Sequence, residues 1–226
     1  MTLYGDFCII KKKITMLLVV NTVLYAIIDL LCAAVFALPL AWLFMTFRKT
    51  GSRKRFLLIS LFTLYLCEMF DVVGIPAVQY IRWDPTVNLI PFGDEKNSRF
   101  FLQLGLNAVM FLPLGFLLPI LWSKCRRWYR TTLAGFFISL TIEAVQMFCS
   151  RATDVDDLIM NTLGACLGYF LSWALFHRKW AREFTPDGGQ AGQWRSLTVS
   201  VLIPMLVIVF LRTTLSNLVY CLPFFD

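Results

Sequence analysis

The chain has 226 residues, of which 58% are hydrophobic and only 15% are charged; its 21 Lys and Arg residues against 14 Asp and Glu residues give a net charge of +7. Soluble domains are roughly half apolar and a quarter charged, so this composition is too apolar for a soluble domain. It also excludes a disordered chain, a collagen and a disulfide-rich secreted domain, and the length of the apolar runs excludes a transmembrane β-barrel. The sequence therefore predicts an integral, all-α membrane protein.

The seven cysteines and the single histidine exclude several kinds of site. The cysteines are scattered and form no Cys-x-x-Cys pair, so no structural zinc site is predicted. His177 alone cannot form a His-rich metal site or supply both ligands of a bis-histidine haem. The basic residues lie in short connections between apolar blocks, where they orient a membrane protein. We therefore expect no nucleic-acid partner and no cofactor.

Six apolar blocks follow one another along the chain, each compatible with about 20 residues per span. They cover residues 14–47, 56–73, 101–122, 131–148, 158–176 and 197–219. Basic residues concentrate in the connections 48–55, 124–130 and 177–195, which the positive-inside rule assigns to the cytoplasm. The predicted fold is an all-α, polytopic transmembrane bundle of about six spans in the cell membrane.

The first block, 14–47, is too long for one span, and two arrangements remain open. One long tilted helix would place Lys11, Lys12 and Lys13 outside, whereas two short spans around 21–29 would return them to the cytoplasm. A secretory signal is disfavoured because the apolar run is too long and no small-residue cleavage site follows. We divide the chain into an extra N-terminal transmembrane region (1–55), a core bundle (56–177), a cytoplasmic loop (178–196) and a C-terminal transmembrane helix (197–226).

Polar side chains occur inside the apolar blocks, where they are costly and tend to face the bundle interior or a wet cavity. With the basic connections in the cytoplasm, all of these side chains lie toward the outer ends of their spans. In two pairs, a spacing of three residues places both side chains on one helix face. The sequence thus predicts a polar cluster on the outer side of the membrane. The residues are Glu68 and Asp71, Asn107, Glu143 and Gln146, and Asn161.

Glu143 requires a partner at this depth, because an unpaired buried carboxylate is costly or becomes neutral. Arg151, just past the same block, is the nearest cation in the sequence, and Asn107 or Gln146 could donate amide hydrogen bonds. Two interpretations remain open. The group is either a buried Glu–Arg–Asn bracket that fixes helix register, or a ligand-binding or catalytic site.

The densest polar segment, 150–161, leads from an outer loop into the fifth block. Thr153 or Asp154 can cap the helix, and Asp157 lies three residues after Asp154, as in a capping box. Capping requires one or two carboxylates, whereas Asp154, Asp156 and Asp157 supply three. A Mg²⁺ or Ca²⁺ site on these three aspartates is an alternative, although no EF-hand glycine is present.

Small and helix-bending residues mark two of the blocks. Gly164 and Gly168 form a small-x-x-x-small surface, which favours close packing of another helix. Pro113, Gly115 and Pro119 predict a kinked third span, and such a kink could open a crevice.

Four motifs between residues 87 and 173 occur together in one known family. They are Asn88-Leu89-Ile90-Pro91-Phe92, Asn107-x5-Pro113-x-Gly115-Phe116, Glu143-x2-Gln146 and Arg151-x2-Asp154-x-Asp156-Asp157-x3-Asn161-x2-Gly164-x3-Gly168. This combination resembles the VanZ-like membrane proteins. The resemblance implies a small polytopic protein linked, in the founding member, to low-level resistance to teicoplanin. That lipoglycopeptide acts on cell-wall precursors at the outer membrane surface.

The resemblance implies a binding protein as the first hypothesis. Its partners would be membrane lipids and a lipid-linked cell-wall component or the lipoglycopeptide, engaged at a polar site in the outer leaflet. The apolar loop 87–93 would lie on the membrane or dip into the bundle. The ligand-binding residues implied are Asn88, Asn107, Gln146, Asp154, Asp156 and Asn161, with Pro91 in the loop.

Two other hypotheses assign different roles to these residues. In an intramembrane enzyme, Glu143 would act as acid or base, Arg151 would neutralise an anionic head group, and Asp157 would help to hold a cation or a sugar. No Ser-His-Asp set, phosphate-binding loop or Cys–His pair supports catalysis. In an ion-coupled transporter, Glu68 and Asp71 would act with Glu143, but no internal repeat supports transport.

Overall fold

The structure is a computed structural model that describes residues 27–28, 30–40, 42–43, 53–76, 81–83, 87–92, 98–148, 153–178 and 191–212. The described chain contains a 3₁₀ turn at Ser123–Cys125 and a π-helical turn at Val207–Arg212. Two short strands, β1 (Val87–Asn88) and β2 (Thr153–Asp154), pair in parallel. The helices are α1 (Leu30–Leu40), α2 (Arg53–Val72), α3 (Ser98–Leu121), α4 (Trp128–Gln146), α5 (Val155–Phe176) and α6 (Ala191–Leu206).

The all-α fold predicted from the apolar blocks is confirmed, since helices α2 to α5 coincide closely with the second to fifth blocks. Within the described residues, three helices are long and apolar enough to cross a membrane: Phe100–Leu121, Val155–Phe176 and Gln193–Leu211. The chain is an integral membrane protein, and about six spans stays a prediction. Most of the first block lies outside the described residues, and so does the choice between one and two spans there.

The most extensive contact between two elements of the described chain joins α3 and α5, which run parallel. Gly164 and Gly168 of α5 lie against the backbone carbonyl groups of Ala108 and Leu112 on α3. A Cβ atom at either glycine would collide with these carbonyl oxygens. The small-residue packing surface predicted from the sequence is therefore confirmed, and it lets the two backbones approach closely.

Helices α3, α4 and α5 meet at Ala165, which is fully buried. Gly115 of α3 lies against the Ala165 carbonyl group, and Gly135 of α4 lies against the Ala165 side chain. Helix α3 is continuous through Pro113 and Pro119. Gly115 serves close helix packing, because it lies against the backbone of Ala165.

The connection between α3 and α4 is fastened to the start of α6. The Gln193 side-chain oxygen accepts hydrogen bonds from Ser123 Oγ at 2.8 Å and from the Lys124 backbone N–H at 3.1 Å. Helix α6 begins at Ala191, earlier than the apolar block 197–219, and the predicted loop 178–196 includes its first turn. Burial raises the pKa of the Cys125 thiol in this connection to about 12, so this cysteine stays protonated at neutral pH.

Substituting alanine for Gly164 is expected to destabilise the protein by about 1–3 kcal/mol, because the added methyl group collides with the α3 backbone. The measurement is thermal unfolding of the purified protein in detergent. Gly105→Ala is the matched control, since nothing lies within 4 Å of a Cβ atom at Gly105. Equal melting temperatures for the two variants would contradict the packing described for α3 and α5.

Candidate functional site

A cavity of about 500 Å³ lies among α2, α3, α4 and α5 and is called the polar cavity below. It is formed by the first halves of α3 and α5 and the last turns of α2 and α4, so it lies at the end of the bundle opposite the Ser123–Cys125 connection. Apolar side chains such as Val72, Leu106 and Ile142 form the rest of its wall. Its polar lining consists of Gln103, Asn107, Glu143, Gln146, Asp157 and Asn161.

Three of the four amide side chains of the polar cavity are oriented by hydrogen bonds to other parts of the bundle. Asn107 Nδ2 donates to Asp157 Oδ1, which links α3 to α5 across the cavity. Gln146 Nε2 donates to the Val73 carbonyl oxygen at 2.6 Å, and Asn161 Nδ2 donates to a side chain of α4. These bonds fix the amides in place and thereby preorganise the cavity.

Glu143 is 3% exposed and connects α4 to the start of α5. Its Oε2 accepts a hydrogen bond from the Asp154 backbone N–H at 3.2 Å, and its backbone carbonyl oxygen accepts one from Thr153 Oγ1 at 3.2 Å. The bracket predicted from the sequence has Asn107 or Gln146 as a possible amide donor to Glu143, and the structure gives Asn107 a bond to Asp157. Arg151, the cation of that bracket, lies outside the described residues.

The three aspartates at the start of α5 have three different roles. Asp154 is the N-cap, since its carboxylate accepts the Asp156 backbone N–H at 2.9 Å, which confirms the predicted cap. Both oxygens of the buried Asp156 accept the Phe92 backbone N–H, at 2.9 and 3.0 Å. Asp157 alone lines the cavity.

The divalent cation on these three aspartates stays a prediction, and each of the three carboxylates bonds to a different part of the chain. Within the described ranges, no three His, Cys, Asp or Glu side chains are grouped as a metal site.

The loop that follows β1 lies beside the polar cavity. Asn88 pairs with Asp154 in the two strands, and its side chain donates to the Asp154 carboxylate at 3.4 Å. Phe92 has a φ of 53°, a left-handed conformation that non-glycine residues adopt rarely, and its bonds to Asp156 hold it there. Leu89 and Ile90 are 73% and 69% exposed, so the loop turns its apolar tip away from the bundle interior. This favours anchoring at the membrane surface over dipping into the bundle.

The structure brings together five of the residues predicted from the sequence, and the other predicted residues that it describes lie outside the cavity lining. Three of these lie next to the cavity: Asn88 pairs with Asp154, which caps α5, and Asp156 bonds to the loop at Phe92. Glu68 and Asp71 do not line the cavity. The residues that share the cavity are Asn107, Glu143, Gln146, Asp157 and Asn161.

Sequence reasoning missed Gln103 and Ser139. Gln103 precedes Asn107 by four residues and so shares its helix face, a spacing that could have found it. Ser139 Oγ accepts a hydrogen bond from the Asn161 side-chain amide at 2.9 Å. Nothing in the sequence around Ser139 indicates this contact.

Comparison with known proteins places the chain in a family. The family model VanZ/LLP1 matches residues 62–177, which include every residue that lines the polar cavity. The chain belongs to the VanZ/LLP1 family. The resemblance inferred from the four motifs is thereby confirmed.

A curated VanZ/LLP1 relative, Protein VanZ of Enterococcus faecium, is 33% identical to this chain over 84 residues, which cover 37% of this chain and 50% of that protein. The chain thus spans about half the length of the curated relative it matches. No solved structure matches the chain.

Asp156→Asn is expected to destabilise the protein by about 1–3 kcal/mol, because it weakens a charge-assisted bond that holds Phe92 in its left-handed conformation. Thermal unfolding in detergent and the rate of proteolytic cleavage in the loop measure the effect. Asp157→Asn is the matched control, since it weakens the same kind of bond to a carboxylate, but the donor is the Asn107 side chain and no left-handed backbone depends on it. If both variants unfold at the same temperature, Asp156 does not have the holding role assigned to it.

Proposed function

We propose that this VanZ/LLP1 protein binds a lipid-linked cell-wall component or a lipoglycopeptide in the polar cavity and thereby lowers susceptibility to teicoplanin. The observation that carries the proposal is the convergence of four amide and two carboxyl side chains on one cavity within an apolar bundle. Polar groups inside a membrane bundle are costly, and such groups commonly mark a functional site. A concave site with a few oriented polar groups is typical of small-molecule binding.

The position of the cavity supports a site in the outer leaflet. It lies at the opposite end of α3 and α4 from the connection that carries Lys124, Arg126, Arg127 and Arg130. Basic connections face the cytoplasm by the positive-inside rule. The cavity is then on the side where cell-wall precursors and the drug meet.

One observation favours a second candidate, an intramembrane enzyme. Glu143 and Asp157 line the same cavity, and paired carboxylates can exchange protons with a substrate. The amides Asn107, Gln146 and Asn161 would orient a ligand in either case. The transporter hypothesis lacks such an observation, because Glu68 and Asp71 do not line the cavity.

Teicoplanin susceptibility of a sensitive host that expresses the protein tests the proposal. Wild type is expected to raise the minimum inhibitory concentration, and Glu143→Gln and Asp157→Asn are expected to lose this protection while membrane protein levels and monodispersity stay normal. Glu68→Gln is the matched control, because it neutralises an intramembrane carboxylate that lies outside the cavity lining and should retain protection. Protection by every variant would refute the proposed site, and the absence of protection by wild type would refute the resistance role.

The orientation is tested by labelling single cysteines with a membrane-impermeant thiol reagent on intact cells, after replacement of the seven native cysteines. Asn97→Cys in the predicted outer loop should be labelled, and Arg127→Cys in the basic connection should be labelled only after the cells are opened. The reverse pattern would place the polar cavity on the cytoplasmic side and refute the outer-leaflet proposal.

A further inference from the structure

The polar cavity is closed on one side and open on the other. Glu143 on α4 and Asn161 on α5 line it and are each 3% exposed. Val72 at the end of α2 and Leu102 and Leu106 of α3 also line it, and these side chains are 62%, 63% and 52% exposed. The cavity therefore opens between α2 and α3, through what is called the lateral opening below.

A hydrogen bond between α2 and α3 limits the lateral opening on its inner side. Tyr65 Oη donates to the Met110 carbonyl oxygen at 2.5 Å, and Met110 itself lines the cavity. Met110 lies about one helix turn after Leu106 in α3, and Tyr65 lies about two turns before Val72 in α2. The two helices are thus joined deeper in the bundle than the residues of the opening.

The lateral opening lies within the length of α3 that crosses the membrane. The apolar span of α3 begins at Phe100, and Leu106 follows six residues later, about 9 Å along the helix at 1.5 Å per residue. The head-group region of a bilayer is only about 5–8 Å deep on each side. Leu106 therefore faces acyl chains, and the opening leads into the bilayer.

Gln103 lies at the edge of the lateral opening. It is an exposed residue of the α3 span that lines the cavity, and its side chain forms no hydrogen bond with another described residue. It follows Phe100 by three residues, about 4–5 Å along the helix, so its amide lies at the level of the head groups. The other three amides of the cavity are engaged within the protein, whereas that of Gln103 can both donate to and accept from a ligand.

We propose that a lipid of the outer leaflet enters the polar cavity sideways, through the lateral opening between α2 and α3, and that the Gln103 amide binds its head group. This inference rests on the proposed function and adds the entry route, the bilayer as the source of the ligand and a further binding residue. A lipid is favoured over a water-soluble ligand because three exposed residues of the opening are apolar and Leu106 lies at the depth of acyl chains. The head group stays near the level of Gln103 as it enters, so it does not cross the hydrocarbon core.

Spin labels on the full-length protein in vesicles of phosphatidylcholine and phosphatidylglycerol test where the opening faces. After replacement of the seven native cysteines, a nitroxide is attached at Leu106→Cys. Power saturation measures its collisions with oxygen, which concentrates in hydrocarbon, and with a nickel chelate, which stays in water. Val109→Cys is the matched lipid-facing control, because Val109 is a 63% exposed residue of α3 that does not line the cavity.

The label at Leu106→Cys is expected to match that at Val109→Cys, with frequent oxygen collisions and few collisions with the chelate. Arg127→Cys, an exposed position in the basic connection, provides the reference for a label in water. Chelate collisions as frequent as at Arg127→Cys would show that the opening faces water. Few collisions with both reagents would show that protein covers it, and either result overturns the lateral route.

Photolabelling tests whether a lipid enters. The same vesicles contain small fractions of phosphatidylglycerol and phosphatidylethanolamine that carry a diazirine on an acyl chain, next to the head group. Mass spectrometry quantifies the label on three cavity residues that are buried, which lipid at the outer surface of the bundle does not reach. These residues are Glu143, Gln146 and Asn161.

Wild type is expected to carry label on these three residues. Leu106→Trp and Val72→Trp, which place an indole in the opening, should reduce that label to background, and Val109→Trp is the matched control that should leave it unchanged. Gln103→Leu should reduce it about three- to tenfold, the size of one net hydrogen bond. Gln103→Asn, which retains an amide, should reduce it less.

Absence of label on the three residues in wild type, or equal label in wild type and both indole variants, would overturn the lateral route. Equal label in wild type and Gln103→Leu would overturn the role of Gln103. The susceptibility assay separates these failures from failure of the proposed function. If Asp157→Asn loses protection while Leu106→Trp and Val72→Trp retain it, the polar cavity stands and lateral entry falls. If Asp157→Asn retains protection, the proposed function falls whatever the labels show.

Discussion

The close contact between α3 and α5 is the constraint on which the rest of the structure depends. Gly164 and Gly168 let the two backbones touch, and they set the register of one parallel helix against the other. This register places Asn107, the residue before Ala108, beside Asp157, which lies about two helix turns before Gly164. The polar cavity therefore depends on glycines that do not line it.

The cavity combines a stable scaffold with polar groups that a membrane bundle normally excludes. Much of the polar chemistry around it serves the scaffold, since Asp154 caps α5 and Asp156 holds the loop at Phe92. Glu143 belongs to both parts, because its carboxylate binds the Asp154 backbone and also faces the cavity. A substitution that removes the side-chain oxygen of Glu143 thus affects the geometry of the helix start as well as the site.

The polar cavity lies entirely within the segment that defines the family. The VanZ/LLP1 match covers residues 62–177 and includes the whole polar cavity. Helix α6 lies after that segment and bonds to the α3–α4 connection through Gln193.

The sequence by itself determined the membrane class, helices α2 to α5 and the family, because hydropathy and motif spacing are local properties of the chain. Five of the six polar residues of the cavity could also be identified from the sequence, because costly polar groups are conspicuous within apolar blocks. Only the tertiary structure decided which of Asp154, Asp156 and Asp157 faces the cavity, and that Glu68 and Asp71 do not line it. Adjacent carboxylates look alike in sequence, and their roles differ because α3 and the loop at Phe92, distant along the chain, approach different sides of the same helix turn.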